Sequence, residues 1–446
     1  MKRVAILGGG IAGLSAAHYL HQAGADFTLF EASTRFGGII DSERTPEGFL
    51  VEAGPDSFLS AKPAAAELAR ELGLAGELVP SNDRQRKTYI LLRNQLVPIP
   101  DGMQLMVPTR SWPILTSPLF SLSTKLRMLR EFLFPPALLA ADQDESVANF
   151  IARHFGTELV ERLADPLLAG VYGGDSAQLS ARAVLPTMVA SEAQHRSLVR
   201  GALRSRRSAD ATSALFTTFR NGMRQLIDAI VAQLPADRLR LRTPVTTVTR
   251  ANSDWRIANE SFTDLIIALP AATAASLLWP LDPALSALLG KILSTSCVTV
   301  AIGFDRSLSL PPGFGFLVPR SENRRMLACT FVHRKFPNRA PAQTSLLRAF
   351  LTSGLNEDDA SLRRIVSTEL KEILGITAAP TMVRIQRWPS AMPQYAVGHL
   401  DRIAQIHQRA VNLPGLHLIG NAYSGVGVPD CIRGGRDAAQ KIAASR

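Results

Sequence analysis

Three glycines near the start of the chain have the spacing of a phosphate-binding turn. Gly8, Gly10 and Gly13 follow the pattern GxGxxG, between an apolar run at 4–7 that is rich in strand-forming residues and a stretch at 11–20 with apolar residues at helical intervals. In such a unit the first glycine allows the tight turn, the second lets backbone approach a pyrophosphate, and the third lets the helix pack on the strand. The helix N-terminus adds N–H donors and a positive dipole end, so the turn predicts a phosphate-containing ligand.

An acidic residue follows at the end of the next predicted strand. Glu31 follows Gly13 by 18 residues in the sequence. At about this separation the dinucleotide fingerprint has a carboxylate that binds the ribose hydroxyls. The alternative is a glycine-rich turn without a ligand, but strand, helix and carboxylate together favour an adenine nucleotide. Lys2 and Arg3 before an apolar stretch also resemble the start of a secretory signal peptide, an interpretation that the glycines oppose.

The length, cysteine content and charge of the chain limit the classes of protein to which it can belong. A chain of 446 residues predicts two or three domains. Cys297, Cys329 and Cys431 are odd in number and lack CxxC spacing, which favours a reducing compartment and predicts no metal site. No apolar run reaches the length of a membrane-spanning helix. The net charge of +11 suits an anionic membrane surface or a polycarboxylate substrate; a nucleic-acid partner would rest on charge alone and is not predicted.

The order of strand and helix patterns predicts an α/β fold with a discontinuous, Rossmann-like nucleotide-binding domain, a mixed-sheet substrate domain and a helical insertion. The predicted segments are 1–80, 215–275 and 380–446 for nucleotide binding, 81–104 and 276–379 for the substrate domain, and 105–214 for the insertion. The clearest strands of the substrate domain are 297–304 and 345–351, and 239–248 and 265–269 read as strands of the nucleotide-binding domain. Leucines and aromatic residues beside Lys and Arg in the insertion suit a helix in a bilayer surface and equally a buried helical subdomain.

Sequence blocks along nearly the whole chain resemble a known family. The stretch EASTRFGG at 31–38 resembles the extended fingerprint of the flavin-containing amine oxidase superfamily. Within that superfamily the chain resembles the oxygen-dependent protoporphyrinogen and coproporphyrinogen oxidases of haem synthesis. The blocks that carry this resemblance are EAGPDSF at 52–58, DPLLAGVYGGDSAQLS at 165–180, GFGFLVP at 313–319, TFVHRKFPNRAP at 330–341, RWPSAMPQYAVGH at 387–399 and GNAYSGVGVPDCIRGGRDAA at 420–439.

The resemblance implies FAD as the cofactor of the nucleotide-binding domain. The turn GNAYSG lacks the cysteine that tethers FAD in monoamine oxidases, so the resemblance implies non-covalent binding. Arg35 with its two following glycines would enclose the pyrophosphate, and a helix after Pro429 would direct its positive end at the flavin pyrimidine. The residues expected to bind FAD are Gly8, Gly10, Ile11, Ala12, Gly13, Glu31, Ala32, Arg35, Gly37, Gly38, Gly54, Pro55, Asp56, Ser57, Val245, Trp388, Gly420, Val426, Gly427 and Val428.

The same resemblance implies the reaction and the residues that position its substrate. A porphyrinogen would lose six electrons in three rounds, each passing a hydride from a methylene bridge to flavin N5, and O₂ would reoxidise the flavin to give hydrogen peroxide. Leu317 and Phe350 would sandwich pyrrole rings, Phe314 would shape the same wall, and the carbonyl of Gly170 would accept hydrogen bonds from pyrrole N–H groups. A Leu and a Phe on strands equally suit a packed core.

One departure from the family leaves the carboxylate partner of the substrate open. Some members have a basic residue directly before the tyrosine that corresponds to Tyr89, where this chain has Thr88. Arg86, Lys87 and Arg93 are therefore the candidates. Protoporphyrinogen IX is expected because of the insertion, with coproporphyrinogen III as the alternative; an amine or carotenoid oxidoreductase, or a binding module that does not use flavin, is more remote. The expected location is cytoplasmic, with a peripheral membrane contact and a homodimer left open.

Overall fold

The computed structural model describes residues 2–140, 143–208, 214–351 and 354–445, without the side chains of 171 and 206–208. The chain divides into two compact units, of which the first comprises 1–81, 214–293 and 401–446 and the second 82–213 and 294–400. In chain order the strands are β1 (Arg3–Leu7), β2 (Asp26–Phe30), β3 (Ser42–Arg44), β4 (Leu50–Glu52), β5 (Phe58–Leu59), β6 (Leu78–Pro80), β7 (Thr88–Leu92), β8 (Gln95–Pro98), β9 (Met103–Gln104), β10 (Val107–Pro108), β11 (Phe216–Phe219), β12 (Leu239–Arg240), β13 (Thr249–Ala251), β14 (Asp254–Ile257), β15 (Glu260–Phe262), β16 (Asp264–Ile267), β17 (Ser294–Phe304), β18 (Gly315–Leu317), β19 (Met326–Phe331), β20 (Ser345–Leu351), β21 (Met382–Pro393) and β22 (Leu416–Leu418).

The helices alternate with these strands in the first unit and cluster between β10 and β11 in the second. They are α1 (Ile11–Gln22), α2 (Ala64–Glu71), α3 (Ser111–Thr116), α4 (Leu122–Leu133), α5 (Val147–Phe155), α6 (Thr157–Leu159), α7 (Asp165–Tyr172), α8 (Ala181–Val184), α9 (Pro186–His195), α10 (Leu198–Ser208), α11 (Arg224–Gln233), α12 (Ala271–Leu278), α13 (Pro283–Gly290), α14 (Val332–Lys335), α15 (Asp359–Leu374), α16 (His399–Ala410) and α17 (Val428–Ala444). A π-helical turn at Val160–Ala164 precedes α7, and short 3₁₀ turns lie at Ala75–Glu77, Asp83–Gln85, Ala236–Arg238 and Arg320–Glu322.

The first unit is built on a five-stranded parallel sheet in the order β12-β2-β1-β16-β22. Alternate residues of β1 point to opposite faces, and both faces are covered. Val4 and Ile6 pack with α1, α2, α11 and α17, whereas Ala5 and Leu7 pack with α12, α13 and α16. All four side chains are almost completely buried, which confirms the Rossmann-like α/β class expected from the strand–turn–helix pattern.

The strand expected at 239–248 is much shorter than predicted. Pairing with β2 ends at Arg240. Arg242 has a φ of 54°, which turns the chain out of the extended conformation, and Pro244 has no N–H group to continue a ladder. The stretch with the predicted adenine contact, Val245, is therefore a loop beside the sheet.

The second unit is built on a seven-stranded mixed sheet in the order β21-β17-β20-β19-β18-β7-β8. Among the described strands of this sheet, only β18 and β7 pair in parallel. One face packs against α15 through residues such as Val298, Leu351 and Leu362. On the other face, Ile90 is buried in the cluster formed by the helices between β10 and β11.

The compact units and the predicted segments differ at two places. Residues 276–293 lie in the first unit, because α12 and α13 pack together and against its parallel sheet. Residues 380–400 lie in the second unit, because β21 pairs along most of its length with β17. The predicted insertion and the substrate sheet form one compact unit.

The helix α4 carries apolar side chains on its outer side. Thr124, Met128 and Glu131 point inward and are buried. Leu122, Leu126, Leu129 and Leu133, spaced by four, three and four residues, are 70%, 57%, 57% and 52% exposed. In the described part of the chain, none of the helices combines the length and apolar character needed to cross a membrane.

Candidate active site

Two of the three glycines in the first turn are required by packing, and the third is not. Gly8 has a φ of +101°, and a Cβ there would lie 2.7 Å from the carbonyl oxygen of Ala268. A Cβ at Gly13 would lie 2.0 Å from the carbonyl oxygen of Gly8. At Gly10, by contrast, a Cβ would have no atom of the described residues within 4 Å. Open space therefore lies at the N-terminus of α1, where N–H groups of the first turn have no intrahelical acceptor.

The carboxylate of Glu31 is held beside this turn by two backbone N–H groups. Its Oε2 accepts a hydrogen bond from the N–H of Gly9 at 2.7 Å, and its Oε1 accepts one from the N–H of Ser33 at 2.8 Å. Each oxygen has a further lone pair that can accept from a ribose hydroxyl. Sequence reasoning did not identify Gly9 or Ser33, since both act through backbone atoms.

Arg35 stabilises its own loop. Its guanidinium donates to the carbonyl oxygens of Phe36, Gly38 and Ile40 and lies 3.4 Å from the carboxylate of Asp41. The amide of Gly37 in turn donates to the carbonyl of Gly9, which joins this loop to the first turn. Arg35 therefore shapes the wall of the predicted pyrophosphate site through the backbone of its loop.

A second loop lies against the same wall. A Cβ at Gly54 would lie 1.9 Å from the carbonyl oxygen of Ile39, so only glycine allows this approach. The hydroxyl of Ser57 donates to Asp56 at 2.7 Å, and the hydroxyl of Thr218 donates to the carbonyl of Asp56. The backbone at Gly54 thereby lies directly against the backbone of Ile39.

The N-terminus of α17 is the second helix end of the first unit that suits a cofactor. Gly427 is the N-cap, and as a glycine it has no side chain that could cap the helix. Gly420 has a φ of +119° and open space where a Cβ would be. Val428 is buried in the core, so only its backbone is available to a ligand.

The charge of Asp430 is paired within the first unit. Asp430 is buried, with Lys62 Nζ at 2.5 Å and Arg433 at 3.2 Å from its carboxylate. Because two cations neutralise this carboxylate, it opposes the positive end of the helix less than an isolated aspartate would.

Close packing brings the two helix ends together. A Cβ at Gly435 would lie 2.5 Å from the carbonyl oxygen of Ala12, so α17 and α1 meet backbone to backbone. Gly435 is two turns into α17, and Ala12 is in the first turn of α1. At about 1.5 Å per residue, both N-termini lie within roughly 12 Å of this contact. One elongated ligand with negative charge, such as a dinucleotide, is long enough to reach both helix ends.

The remaining predicted cofactor residues of this unit lie in the first turn of α1 and in the loops that follow β2, β4, β12 and β22. They are Ile11, Ala12, Ala32, Gly37, Gly38, Pro55, Val245 and Val426. Trp388 belongs to the second unit and lies on β21, opposite Cys297 of β17. Across the described ranges, no three His, Cys, Asp or Glu side chains are grouped so that they could hold a metal ion.

The second unit brings together two of the predicted substrate residues on one face of its sheet. Leu317 pairs with Ala328, and Ala328 pairs with Phe350. Directly opposed residues on neighbouring strands point to the same face. Leu317 and Phe350 are partly exposed and lie two strands apart, roughly 9–10 Å, with the small Ala328 between them. The row therefore places two larger apolar side chains on either side of a small one, and Leu317 also packs against the helical cluster of this unit.

The other predicted wall residue is differently placed. Phe314 precedes β18 and is only 7% exposed, so its ring offers little surface to a ligand.

Two further side chains lie near Phe350 on the sheet. The ring of Phe350 lies under the guanidinium of Arg348, 4.9 Å from the ring centre. Trp388 lies on the same face of the sheet as Phe350. Phe350 pairs with Thr299 of β17, and Thr299 pairs with Gln386 of β21. Trp388 is two residues further along β21, so its side chain points to the same face as that of Gln386.

Gly170 lies in the last turn of α7, which contacts β18 and β19. The π-helical turn before α7 is a feature that occurs often near functional sites. Gly173 ends the helix in the left-handed conformation, with its N–H bonded to the carbonyl of Ala169. Carbonyls of the last turn lack N–H partners from a following turn. Gly170 is exposed, so its carbonyl is suited to accept hydrogen bonds from a ligand.

The three carboxylate candidates lie at the two ends of β7. Arg86 and Lys87 precede the strand and Arg93 follows it. With about 3.3 Å per residue, Lys87 and Arg93 are roughly 20 Å apart, so they cannot bind one carboxylate together. Arg86 lies 3.3 Å from Asp83, and all three side chains are exposed.

The family to which the chain belongs follows from comparison with known proteins. Residues 11–443 match the model of the flavin containing amine oxidoreductase family. The chain belongs to this family and is therefore an oxidoreductase with a flavin cofactor. The cyclohexylamine oxidase of Brevibacterium oxydans IH-35A shares the fold, with a TM-score of 0.73 and 19% identity over 100% of this chain and 99% of that chain.

Relatives with higher sequence identity to this chain are named as porphyrinogen oxidases. The coproporphyrinogen III oxidase of Bacillus subtilis (strain 168) is 34% identical over 98% of this chain and 97% of its own. The mitochondrial protoporphyrinogen oxidase of Nicotiana tabacum is 30% identical over 99% of this chain and 94% of its own. A crystal structure from Exiguobacterium sp. 255-15, described provisionally as a protoporphyrinogen oxidase, has a TM-score of 0.90 and 32% identity over 100% of this chain and 99% of that chain. The resemblance inferred from the sequence blocks is confirmed.

Proposed function

We propose that the protein is an FAD-dependent porphyrinogen oxidase, which removes six electrons from a porphyrinogen and passes them to O₂ as hydrogen peroxide. The observation that carries the proposal is the apolar row of Leu317, Ala328 and Phe350, together with the contact of α7, the helix that bears Gly170, with the strands of Leu317 and Ala328. A porphyrinogen is a large apolar macrocycle with N–H groups at its centre, so it needs apolar surface and a carbonyl acceptor. The names of the two curated relatives support the same substrate class.

Each part of the proposed site has one task. Bound FAD supplies the acceptor for one hydride in each of three rounds, with O₂ taking up the electrons. Leu317 and Phe350 hold the macrocycle, and the carbonyl of Gly170 accepts from pyrrole N–H groups and fixes its orientation. Pyrrole nitrogens stabilise the developing cation and lose their protons to water, so the protein needs no strong base.

We propose that FAD is bound without a covalent link. The loop at 420–425 contains no cysteine. Cys431, just beyond it, is buried, and burial with the nearby Asp430 raises the pKa of its thiol to about 12. Such a thiol stays protonated at neutral pH and is a poor nucleophile. Acid precipitation is therefore expected to release all of the yellow cofactor into solution, and colour retained in the pellet would contradict this proposal.

Protoporphyrinogen IX is the substrate that we propose first, and coproporphyrinogen III is the second candidate. The exposed leucines of α4 favour the first, since the more apolar substrate is the one expected at a membrane surface. The name of the Bacillus subtilis relative favours the second, and so do cations at both ends of β7, because coproporphyrinogen has four carboxylates and protoporphyrinogen two.

The purified protein should be supplied in air with each anaerobically prepared porphyrinogen in turn, and porphyrin fluorescence followed. Faster oxidation of protoporphyrinogen IX is expected. Faster oxidation of coproporphyrinogen III would make the second candidate the function, and a yellow protein inert to both would refute porphyrinogen oxidation and favour an amine or carotenoid oxidoreductase.

We also propose that the exposed leucines of α4 bind the cytoplasmic face of an anionic membrane. Trp112 and Phe134 are 75% and 71% exposed on either side of these leucines along the chain, and Arg127 and Arg130 are exposed on the same helix. Apolar side chains next to cations suit the boundary between lipid headgroups and acyl chains. No transmembrane segment is needed for such a contact.

A flotation experiment tests the membrane proposal. The wild-type chain is expected to float with phosphatidylglycerol vesicles and less with phosphatidylcholine vesicles. The double variant Leu126→Glu/Leu129→Glu should remain in the dense fraction, because charged groups replace the inserted side chains. Leu241→Glu/Leu293→Glu, with the same charge change at exposed leucines of the first unit, is the control, and equal loss of flotation in both variants would contradict the proposal.

A further inference from the structure

Side chains of Gln394 and Thr295 join the end of α7 to the sheet of the second unit: both donate to the carbonyl of Tyr172, and the hydrogen bond from Thr295 is the longer, at 3.4 Å. The Nε2 group of Gln394 donates to the carbonyl oxygen of Tyr172 at 2.7 Å and lies 3.0 Å from both the hydroxyl of Thr295 and the carbonyl of Met392. Two of these three partners are carbonyl oxygens, which only accept, so the NH₂ group of the amide must face them. Gln394 thereby joins the last turn of the helix to the ends of β17 and β21.

Two glycines make this contact sterically possible. A Cβ at Gly174 would lie 2.1 Å from Oε1 of Gln394, and a Cβ at Gly173 would lie 3.1 Å from both Thr295 and Met392. The paired glycines after α7 therefore leave room for the Gln394 amide and for the strand ends beside it.

The turn that Gln394 fixes is the turn that contains Gly170. Tyr172 is two residues from Gly170, in the last turn of the same helix. At the other end of α7, the carboxylate of Asp165 accepts from the N–H of Ser176 at 3.2 Å. With both ends held, the direction of the Gly170 carbonyl depends on the Gln394 contact. Cavities of about 510 Å³ and 370 Å³ adjoin Gly173, so the helix end has open space beside it.

We infer that Gln394 is a positioning residue for substrate binding, which orients the carbonyl of Gly170 toward pyrrole N–H groups by holding the carbonyl of Tyr172. The inference rests on the proposed function, in which Gly170 contacts the macrocycle. Gln394 itself does not touch the reacting atoms. Its loss should therefore weaken substrate binding and leave the chemical step and the FAD site unchanged.

Steady-state kinetics of Gln394→Glu test this inference. The carboxylate is nearly isosteric but cannot donate, and it would face two carbonyl oxygens. The KM for the porphyrinogen should rise about tenfold, the factor expected from the loss of about one hydrogen bond, with kcat within about twofold of wild type. Gln178→Glu introduces the same charge at an exposed position in the block at 165–180, which contains Gly170, and it should leave both constants unchanged.

A double-mutant cycle separates positioning from general destabilisation. In Gly174→Ala the new methyl displaces the Gln394 amide, so this variant should reproduce the higher KM. Gly174→Ala/Gln394→Ala should be no worse than either single variant, since both remove the same contact. Visible absorbance and thermal unfolding of the flavoprotein should stay as in wild type.

Different results would refute the proposed function and the positioning role of Gln394. Wild-type protein that oxidises neither porphyrinogen refutes the proposed function. Active wild-type protein with an unchanged KM in Gln394→Glu overturns the positioning role. A loss of FAD and thermal stability in proportion to the rise in KM, or additive effects in the cycle, assigns Gln394 a merely structural role and also overturns it.

Discussion

Gly10 offers the sharpest residue-scale test of where the cofactor binds. Its φ of −73° and ψ of 177° suit alanine, and nothing described lies within 4 Å of the added methyl. The apoprotein of Gly10→Ala should therefore unfold at the wild-type temperature, whereas FAD should bind at least roughly tenfold more weakly, because the methyl occupies the space in front of the helix N–H groups. Titration of apoprotein with FAD, followed by flavin fluorescence, measures this.

The matched control for that variant is Gly76→Ala. Gly76 is also free of close neighbours and lies in a short 3₁₀ turn of the same unit. Its FAD affinity should equal that of wild type. A Gly10→Ala protein with unchanged FAD affinity would place the pyrophosphate elsewhere.

Phe350 tests the substrate face at the same scale. Phe350→Leu keeps an apolar side chain but removes the flat aromatic surface, so the KM for the porphyrinogen should rise by roughly threefold to tenfold while kcat changes little. Phe134→Leu, at an exposed ring 71% accessible to solvent, serves as the control in lipid-free assays. A drop in kcat with an unchanged KM would show that Phe350 acts in the chemical step.

At the scale of elements, a buried charged cluster holds the helices of the second unit together. His154 on α5 lies 3.0 Å from Glu131 on α4 and 3.1 Å from Glu192 on α9. Glu131 also accepts from the N–H groups of Leu198 and Val199 at the start of α10. The carboxylate of Glu131 therefore pairs with a histidine and also accepts hydrogen bonds from the first turn of a neighbouring helix.

The cluster predicts how stability depends on pH. Burial alone would lower the pKa of His154, but hydrogen bonds to Glu131 and Glu192 raise it above 6.5. The stabilisation is therefore complete below pH 6.5 and is lost as pH rises through the folded-state pKa. Burial would raise the pKa of Glu192, yet hydrogen bonds from His154 and Arg153 lower it to about 2. The stability that ionised Glu192 contributes is fully present above pH 4.5 and is lost as the pH falls toward 2.

His154→Leu leaves two buried carboxylates without this partner and should lower the free energy of unfolding by about 3–5 kcal/mol near pH 6.5. The difference from wild type should shrink at alkaline pH, where the histidine of the wild type loses its proton. Urea unfolding at several pH values measures both. His195→Leu, on the same helix as Glu192 but outside the cluster, is the control; a pH-independent difference for His154→Leu would contradict the charged state that we assign to His154.

At the scale of the whole molecule, the proposed reaction predicts its own stoichiometry. Six electrons removed in two-electron rounds require three O₂ and yield three hydrogen peroxide for each porphyrin formed. Oxygen-electrode and peroxidase-coupled measurements on the same sample should give this ratio. Porphyrin formation that continues at full rate without O₂ would show that another electron acceptor is used.

Local sequence was sufficient to predict the first turn and many of the strands and helices, but not the length of β12. The turn at Gly8 to Gly13 needs particular backbone conformations and close approaches that few residues other than glycine allow, so composition and spacing predict it directly. Strands such as β20 and helices such as α1 follow from period-two and helical patterns of apolar residues. The family likewise follows from short blocks, because these blocks are contiguous in the chain.

Only the tertiary structure decided which distant residues meet. The row from Leu317 to Phe350 depends on the register of three strands, and the assignment of β21 to the second unit depends on its pairing with β17. Gln394 lay in a recognised block, but its contact with Tyr172 joins residues far apart in the chain. Patterns of apolar residues predict each element and the face it buries. They do not encode the register, the close approaches and the long-range hydrogen bonds from which the site is assembled, because these arise only when the elements pack.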